Sequence, residues 1–176
     1  MTTEQDNTLE ALQIAIQMEI DGKEYYLKAS QKSSSKLGKK LLKSLAAEED
    51  MHRQKFEKIY GAIRNKEAWP VIGMQLDGGK RLRIIFVRVI EEKGSNIRAL
   101  NTELDAIQTA MDMENRTYDF YKSQRENAIY DTERDFYKAL ASEEREHYLI
   151  LLDSYEYLKD PAGWFIKREH SSLDGG

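Results

Sequence analysis

Leu45-Ala46-Ala47-Glu48-Glu49-Asp50-Met51-His52 has a near copy 95 residues later, Leu140-Ala141-Ser142-Glu143-Glu144-Arg145-Glu146-His147. In both, a glutamate and a histidine stand three positions apart, which on an α-helix places them on one face about one turn from each other. Thirty residues before each of these glutamates stands another, set among apolar neighbours: Glu19 in Ala15-Ile16-Gln17-Met18-Glu19-Ile20, and Glu114 in Ala110-Met111-Asp112-Met113-Glu114. The same shift brings Leu9 onto Leu104, Ala11 onto Ala106, Ala15 onto Ala110, Tyr26 onto Tyr121 and Tyr60 onto Tyr155. Packing alone would preserve the apolar stripe and let the polar identities drift. The matched Glu and His positions therefore express a shared chemical demand.

The segments around these motifs are long, free of Pro and rich in Ala, Leu, Glu, Lys, Gln and Met, with no alternating β-branched pattern, so the chain reads as all-α. A first helix is expected from an Asn7 cap, with Glu10 in capping-box spacing, to about Lys32, where Ser33-Ser34-Ser35 breaks it. A second runs from about Lys36 to Arg64 on the stripe Leu37, Leu41, Leu45, Phe56 and Ile59. A third starts near a Thr102 cap, with Asp105 three residues on, and reaches about Asn127; a fourth covers about Thr132 to Lys159 and stops before Pro161 and Gly163. The connection from 65 to 101 contains Trp69-Pro70, Gly73, Gly78-Gly79 and Gly94, with a short helix expected near Lys80 to Glu92. Its length fits a crossover between two helical hairpins, the arrangement of ferritin-like four-helix bundles. An inserted partner-binding loop is the other reading. Residues 1–160 thus form the expected bundle, and 161–176 a tail too broken for another long helix.

Hairpin geometry supplies the third and fourth ligand positions. The midpoint of 19 and 49 falls at 34, inside the serine break, and that of 114 and 144 at 129, inside the second break. Fifteen residues up each arm is about 22 Å of helix. Both members of each pair sit at one height, and packing the hairpins face to face gathers Glu19, Glu49, His52, Glu114, Glu144 and His147 inside. Four buried carboxylates without countercharge would cost several kcal/mol each. Two divalent cations balance them, and one Glu from each of two helices with Glu-x-x-His from the other two is a dinuclear carboxylate ligand set. Imidazole with carboxylate suits iron or manganese, and zinc would also bind.

Composition narrows the chemistry further. With no Cys among 176 residues, disulfides, thiolate metal sites, iron–sulfur centres and thiol nucleophiles are excluded. A net charge of −4 without a basic block argues against nucleic acid or an anionic membrane as partner. The most apolar run, Ile84-Ile85-Phe86-Val87-Arg88-Val89-Ile90, is too short to span a bilayer. Met1 to Asn7 lacks a basic segment followed by an apolar one, so a cytoplasmic protein is expected.

On these two Glu-x-x-His motifs and their paired glutamates, the sequence resembles the rubrerythrin-like proteins of the ferritin-like non-haem di-iron superfamily, over the helical parts of both halves. The resemblance implies two iron ions, bridged by Glu49 and Glu144 or by Glu19 and Glu114, with His52 and His147 as terminal ligands. It also implies a homodimer. Full-length rubrerythrins carry a four-cysteine rubredoxin domain that has no counterpart here, which implies an external electron donor such as a rubredoxin-type protein. They also place a further carboxylate one turn after the third-helix ligand. Here that position is Thr117, with Gly22 its counterpart, and the six-ligand set looks more like the ferroxidase centre of bacterioferritins.

Tyr26 and Tyr121, two turns after ligand glutamates, are read as hydrogen-bond donors to the carboxylates or as core. Tyr25, Tyr118, Phe120 and Tyr148 read as core or interface aromatics, Glu48 and Glu143 as solvated, Met51 as core and His170 as surface. Trp164-Phe165 covers the bundle end or a dimer contact. The expected function is reduction of hydrogen peroxide or dioxygen at a di-iron centre in protection against oxidative stress. Iron oxidation for homeostasis, or a structural metal scaffold, are the alternatives.

Overall fold

The computed structural model describes residues 3–173. Met1, Thr2 and the closing Asp174-Gly175-Gly176 lie outside the described residues. Those described form six helices: α1 (Thr3–Lys32), α2 (Lys36–Arg64), α3 (Lys80–Lys93), α4 (Asn101–Asn127), α5 (Asp131–Lys159) and α6 (Pro161–Leu173). Helices α1 and α2 form one hairpin and α4 and α5 the other; α1 then faces α4, and α2 faces α5. The fold is the all-α ferritin-like bundle expected, and the 65–101 crossover carries α3 across the α2–α5 side. Among the described residues no helix is long and apolar enough to cross a membrane.

Three local expectations are corrected. Helix α1 does not start at an Asn7 cap. It begins at Thr3, and Glu4 and Asp6 occupy the first turn, where the helix dipole favours anions. Helix α4 follows Leu100, not a Thr102 cap, and no side chain caps it. Residues 161–173 are helical. Pro161 stands at the first position of α6, where its missing N–H costs nothing, and Asp160 accepts from the Gly163 N–H at 3.0 Å. Trp164 of α6 packs on Phe86 of α3 and Tyr157 of α5, with ring centroids 5.8 and 5.5 Å apart, and so closes that end of the bundle.

The first hairpin is tied to the second half by a buried carboxylate. Glu103, in the first turn of α4, accepts from the hydroxyls of Ser33, Ser34 and Ser35 and from the Ser34 and Ser35 N–H groups, each N–H at 3.1 Å. Ser35 also caps α2 by accepting from Gly38 N–H at 3.0 Å. Gly38 has to be small. A Cβ there would lie 2.2 Å from Glu103 Oε1 and from Ser33 Oγ.

Apolar packing falls into two clusters. One gathers Leu12 and Ala15 of α1, Phe56, Ile59 and Ile63 of α2, Tyr121 of α4 and Phe136 to Ala141 of α5, sealed by Trp69 of the crossover. The other gathers Tyr26 of α1, Leu37 to Ala46 of α2, Ile107 to Met111 of α4 and Ile150 to Leu158 of α5, with α3 and Trp164. Along every bundle helix the chain passes from one cluster to the other through a single polar interval: Glu19, Glu49 with His52, Glu114, and Glu144 with His147.

Candidate metal centre

All six residues predicted from the sequence meet in that interval. Each is at most 3% exposed. Among these six, two sets of potential ligand atoms form: Glu19, Glu49, His52 and Glu144 in one, and Glu49, Glu114, Glu144 and His147 in the other, the atoms of each set lying within 4.8 Å of one another. Glu49 and Glu144, the glutamates of the two Glu-x-x-His motifs, belong to both. Glu19 and Glu114 belong to one each. The geometry therefore distinguishes two shared carboxylates from two single ones.

His52 Nδ1 stands 3.5 Å from Glu19 Oε2 and 3.2 Å from Glu144 Oε1. His147 Nδ1 stands 3.4 Å from Glu49 Oε1, 3.5 Å from Glu114 Oε2 and 3.6 Å from Glu144 Oε2. The two imidazoles stack with centroids 5.8 Å apart and planes 13° from parallel. None of these inward atoms has a hydrogen-bond partner: Glu19 Oε2, Glu49 Oε1, His52 Nδ1, Glu114 Oε2, both Glu144 oxygens and His147 Nδ1 are all buried and unpaired. Proteins leave few such atoms unpaired, because each costs about 1–3 kcal/mol or more when charged. Seven converging on one space fit bound divalent metal, whose charge and coordination would satisfy them.

The outward atoms, by contrast, are held. Tyr26 Oη donates to Glu114 Oε1, and Tyr121 Oη donates to Glu19 Oε1, so both tyrosines hydrogen-bond carboxylates of the cluster. Burial, and then the charge of the neighbouring glutamates, pushes both phenols well above the ordinary tyrosine range, which keeps them protonated donors. His147 Nε2 lies 2.8 Å from Glu48 Oε2. With that nitrogen donating its proton to Glu48, the Nδ1 lone pair points into the cluster.

Protons respond to the same crowding. Burial, followed by the Glu144 charge, raises the Glu114 carboxyl to about 8. Burial and the charges of Glu19, Glu144 and Glu114 push Glu49 well up. Burial would lower the two histidines, but the Glu19 charge at His52 and the Glu114 charge at His147 outweigh it and raise both. Glu144 moves the other way: burial would raise it, and the close approach of Glu114, His147 and His52 pulls it down. Protons thus supply part of the positive charge that the carboxylates demand.

Glu48 and Glu143 correct the sequence reading. Expected on a solvated face, they are only 4% and 7% exposed. Their atoms approach His147 on its outer side; burial raises the Glu143 carboxyl, the His147 and His52 charges oppose it, and the charges of Glu48 and of Asp77 in the crossover add to the rise. The signal was present in the repeat, since Glu48 and Glu143 match under the 95-residue shift as well as the ligands do. Met51 is exposed rather than core, and His170 is exposed on α6. Thr117 is buried with Oγ1 turned back to the Met113 carbonyl at 3.1 Å, so it does not reach the cluster as a carboxylate would.

A four-helix bundle with paired Glu-x-x-His helices around a buried four-Glu, two-His cluster defines the ferritin-like class of carboxylate-bridged metal proteins. The Rubrerythrin family model matches residues 10–155, most of the chain and all six cluster residues, and the protein belongs to the rubrerythrin family. No curated protein and no solved structure matches the chain.

Proposed function

We propose that the chain is a non-haem di-iron oxidoreductase that reduces hydrogen peroxide or dioxygen, in which Glu49 and Glu144 would be shared by two iron positions, Glu19 and His52 would help to hold one, and Glu114 and His147 the other. The observation that carries this reading is the convergence of seven unpaired, buried ligand atoms on one space. Bound iron would supply the electrons for reduction, two per peroxide from a pair of Fe(II) ions.

The chain's own residues do the rest. Glu48 fixes the His147 ring so that Nδ1 faces inward. Tyr26 and Tyr121 hold Oε1 of Glu114 and of Glu19, leaving each Oε2 free to bind, and keep their phenolic protons close to the reacting space. The apolar clusters on both sides exclude bulk water. Glu48 and Glu143 fill the α2–α5 side. On the opposite side, between α1 and α4, a cleft of about 130 Å³ lined by Met18, Asp21, Met113, Arg116 and Thr117 lies at the height of the cluster and suits a small oxidant. The 176 residues contain no Cys, and the electrons would come from a donor outside them, such as a rubredoxin-type protein.

Iron oxidation followed by release is the second reading, favoured by Thr117, which supplies no seventh carboxylate. Anaerobic loading with Fe(II), then peroxide or oxygen, separates the two. Repeated turnover with an added reductant supports peroxide or oxygen reduction, whereas one oxidation with iron release supports the second reading.

A further inference from the structure

Helix α1 carries no side chain at the position that faces a shared carboxylate. Gly22 is buried one turn after Glu19, and a Cβ built on it would lie 2.8 Å from Glu49 Oε2 and 3.5 Å from Glu49 Cγ and Cδ. Contact at 2.8 Å forces one partner to move, and backbone in the middle of a 30-residue helix yields less readily than a carboxylate. Glycine is disfavoured inside helices against alanine, so its presence here needs a local reason. Gly61 on α2 shows the contrast, with open space around its Cβ position. The repeat counterpart of Gly22 is Thr117, which does carry a side chain but turns its hydroxyl back onto its own helix.

Glu49 belongs to both ligand sets, so whatever displaces its carboxylate disturbs both cation positions. We propose that Gly22 is a positioning residue for the dinuclear centre: by lacking a side chain it sets where the Glu49 carboxylate stands, and hence whether two cations can share it. This rests on the di-metal reading above. It adds an asymmetry that the repeat conceals, because position 22 is bare against a shared ligand, whereas position 117 carries a side chain.

Co(II) titration of the full chain, followed by the visible absorption of the bound ion and by calorimetry, tests it. The wild type, Thr117→Ala and Gly61→Ala should each bind two Co(II) with the same spectrum. Gly22→Ala should bind at least one ion about tenfold or more weakly, with an altered spectrum, while circular dichroism shows the same helix content. Should Gly22→Ala prove too unstable to titrate, Gly22→Ala with Glu49→Asp, one methylene shorter, should recover the folded state; no recovery overturns the proposal. Loading of Gly22→Ala with wild-type affinity and spectrum also overturns it, and leaves the metal centre standing. A wild-type chain that binds no Co(II) overturns the metal centre and this inference together.

Discussion

Tyr121 of α4 hydrogen-bonds Glu19 of α1, and Tyr26 of α1 hydrogen-bonds Glu114 of α4, so each half of the repeat holds the other half's single carboxylate. Neither tyrosine serves the glutamate seven residues before it on its own helix. The exchange joins the hairpins through the centre itself, where α1 and α4 face each other.

Removing either phenol should therefore weaken both the fold and the site. Tyr26→Phe and Tyr121→Phe each leave a buried carboxylate oxygen without its donor, at a cost of about 1–3 kcal/mol in unfolding free energy of the metal-free protein. Chemical denaturation measures the loss. In the metal-loaded protein the expected effect is a shifted absorption spectrum and weaker binding at the position of the glutamate released.

Glu48 and Glu143 should differ despite their equivalent places in the repeat. Glu48→Leu removes the acceptor for His147 Nε2 and should lower metal affinity about 10–100-fold, as loss of such a partner commonly does. Glu48→Gln keeps a carbonyl oxygen and should retain part of the affinity. Glu143 makes no comparable bond, so Glu143→Gln should change affinity less than Glu48→Leu. Competition with a chromophoric chelator resolves all three.

The Glu103 clamp should account for a measurable share of stability. Burial would raise the Glu103 carboxyl, but the bonds from Ser33, Ser34 and Ser35 outweigh it and hold it below the usual carboxylate value. A depressed folded pKa gives stability that is present above the unfolded value and lost as pH falls through the folded one. Glu103→Gln should thus cost about 2–3 kcal/mol near neutral pH, and the gap to wild type should narrow in acid below pH 4.5. Urea unfolding at pH 7 and pH 3.5 gives both values.

The centre reverses that sign. In metal-free protein Glu49 and Glu114 bind protons more tightly than in the unfolded chain, whose carboxyls titrate near 4.5, and so do His52 and His147 against an unfolded value near 6.5. Protonation of these groups favours the folded state, so metal-free stability should fall as pH rises from 5 to 8, by about 1.4 kcal/mol per pH unit for each extra proton held. Metal binding must expel those protons, so affinity should rise over the same interval. Thermal melts with and without Zn(II) should show opposite slopes against pH.

The six cluster residues were legible in the sequence because their constraint is periodic: a 95-residue repeat, a three-residue spacing and a hairpin midpoint all place them at one height. The environment of Glu48 and Glu143 was not. An angle of about 100° from the ligand direction means solvent only for a helix covered on one side, and α2 and α5 are covered on a second side by the crossover and α3. The start of α1 was misread because Asn7 suits a cap, yet the acidic residues before it equally suit a first turn. Pro161 ends one helix and opens the next, and only the Asp160 cap and the packing of Trp164 show which role prevails. The demand for Gly22 rests on a contact between α1 and α2, which no pattern within α1 reveals.

Metal content of the protein purified without added metal, taken together with that of Glu19→Ala and His147→Ala, tests the central claim most directly. The predicted result is two iron ions per wild-type chain, with clear loss in both variants while helix content is retained. A wild-type chain that holds no metal even after anaerobic Fe(II) loading, or variants that load as fully as the wild type, would contradict it.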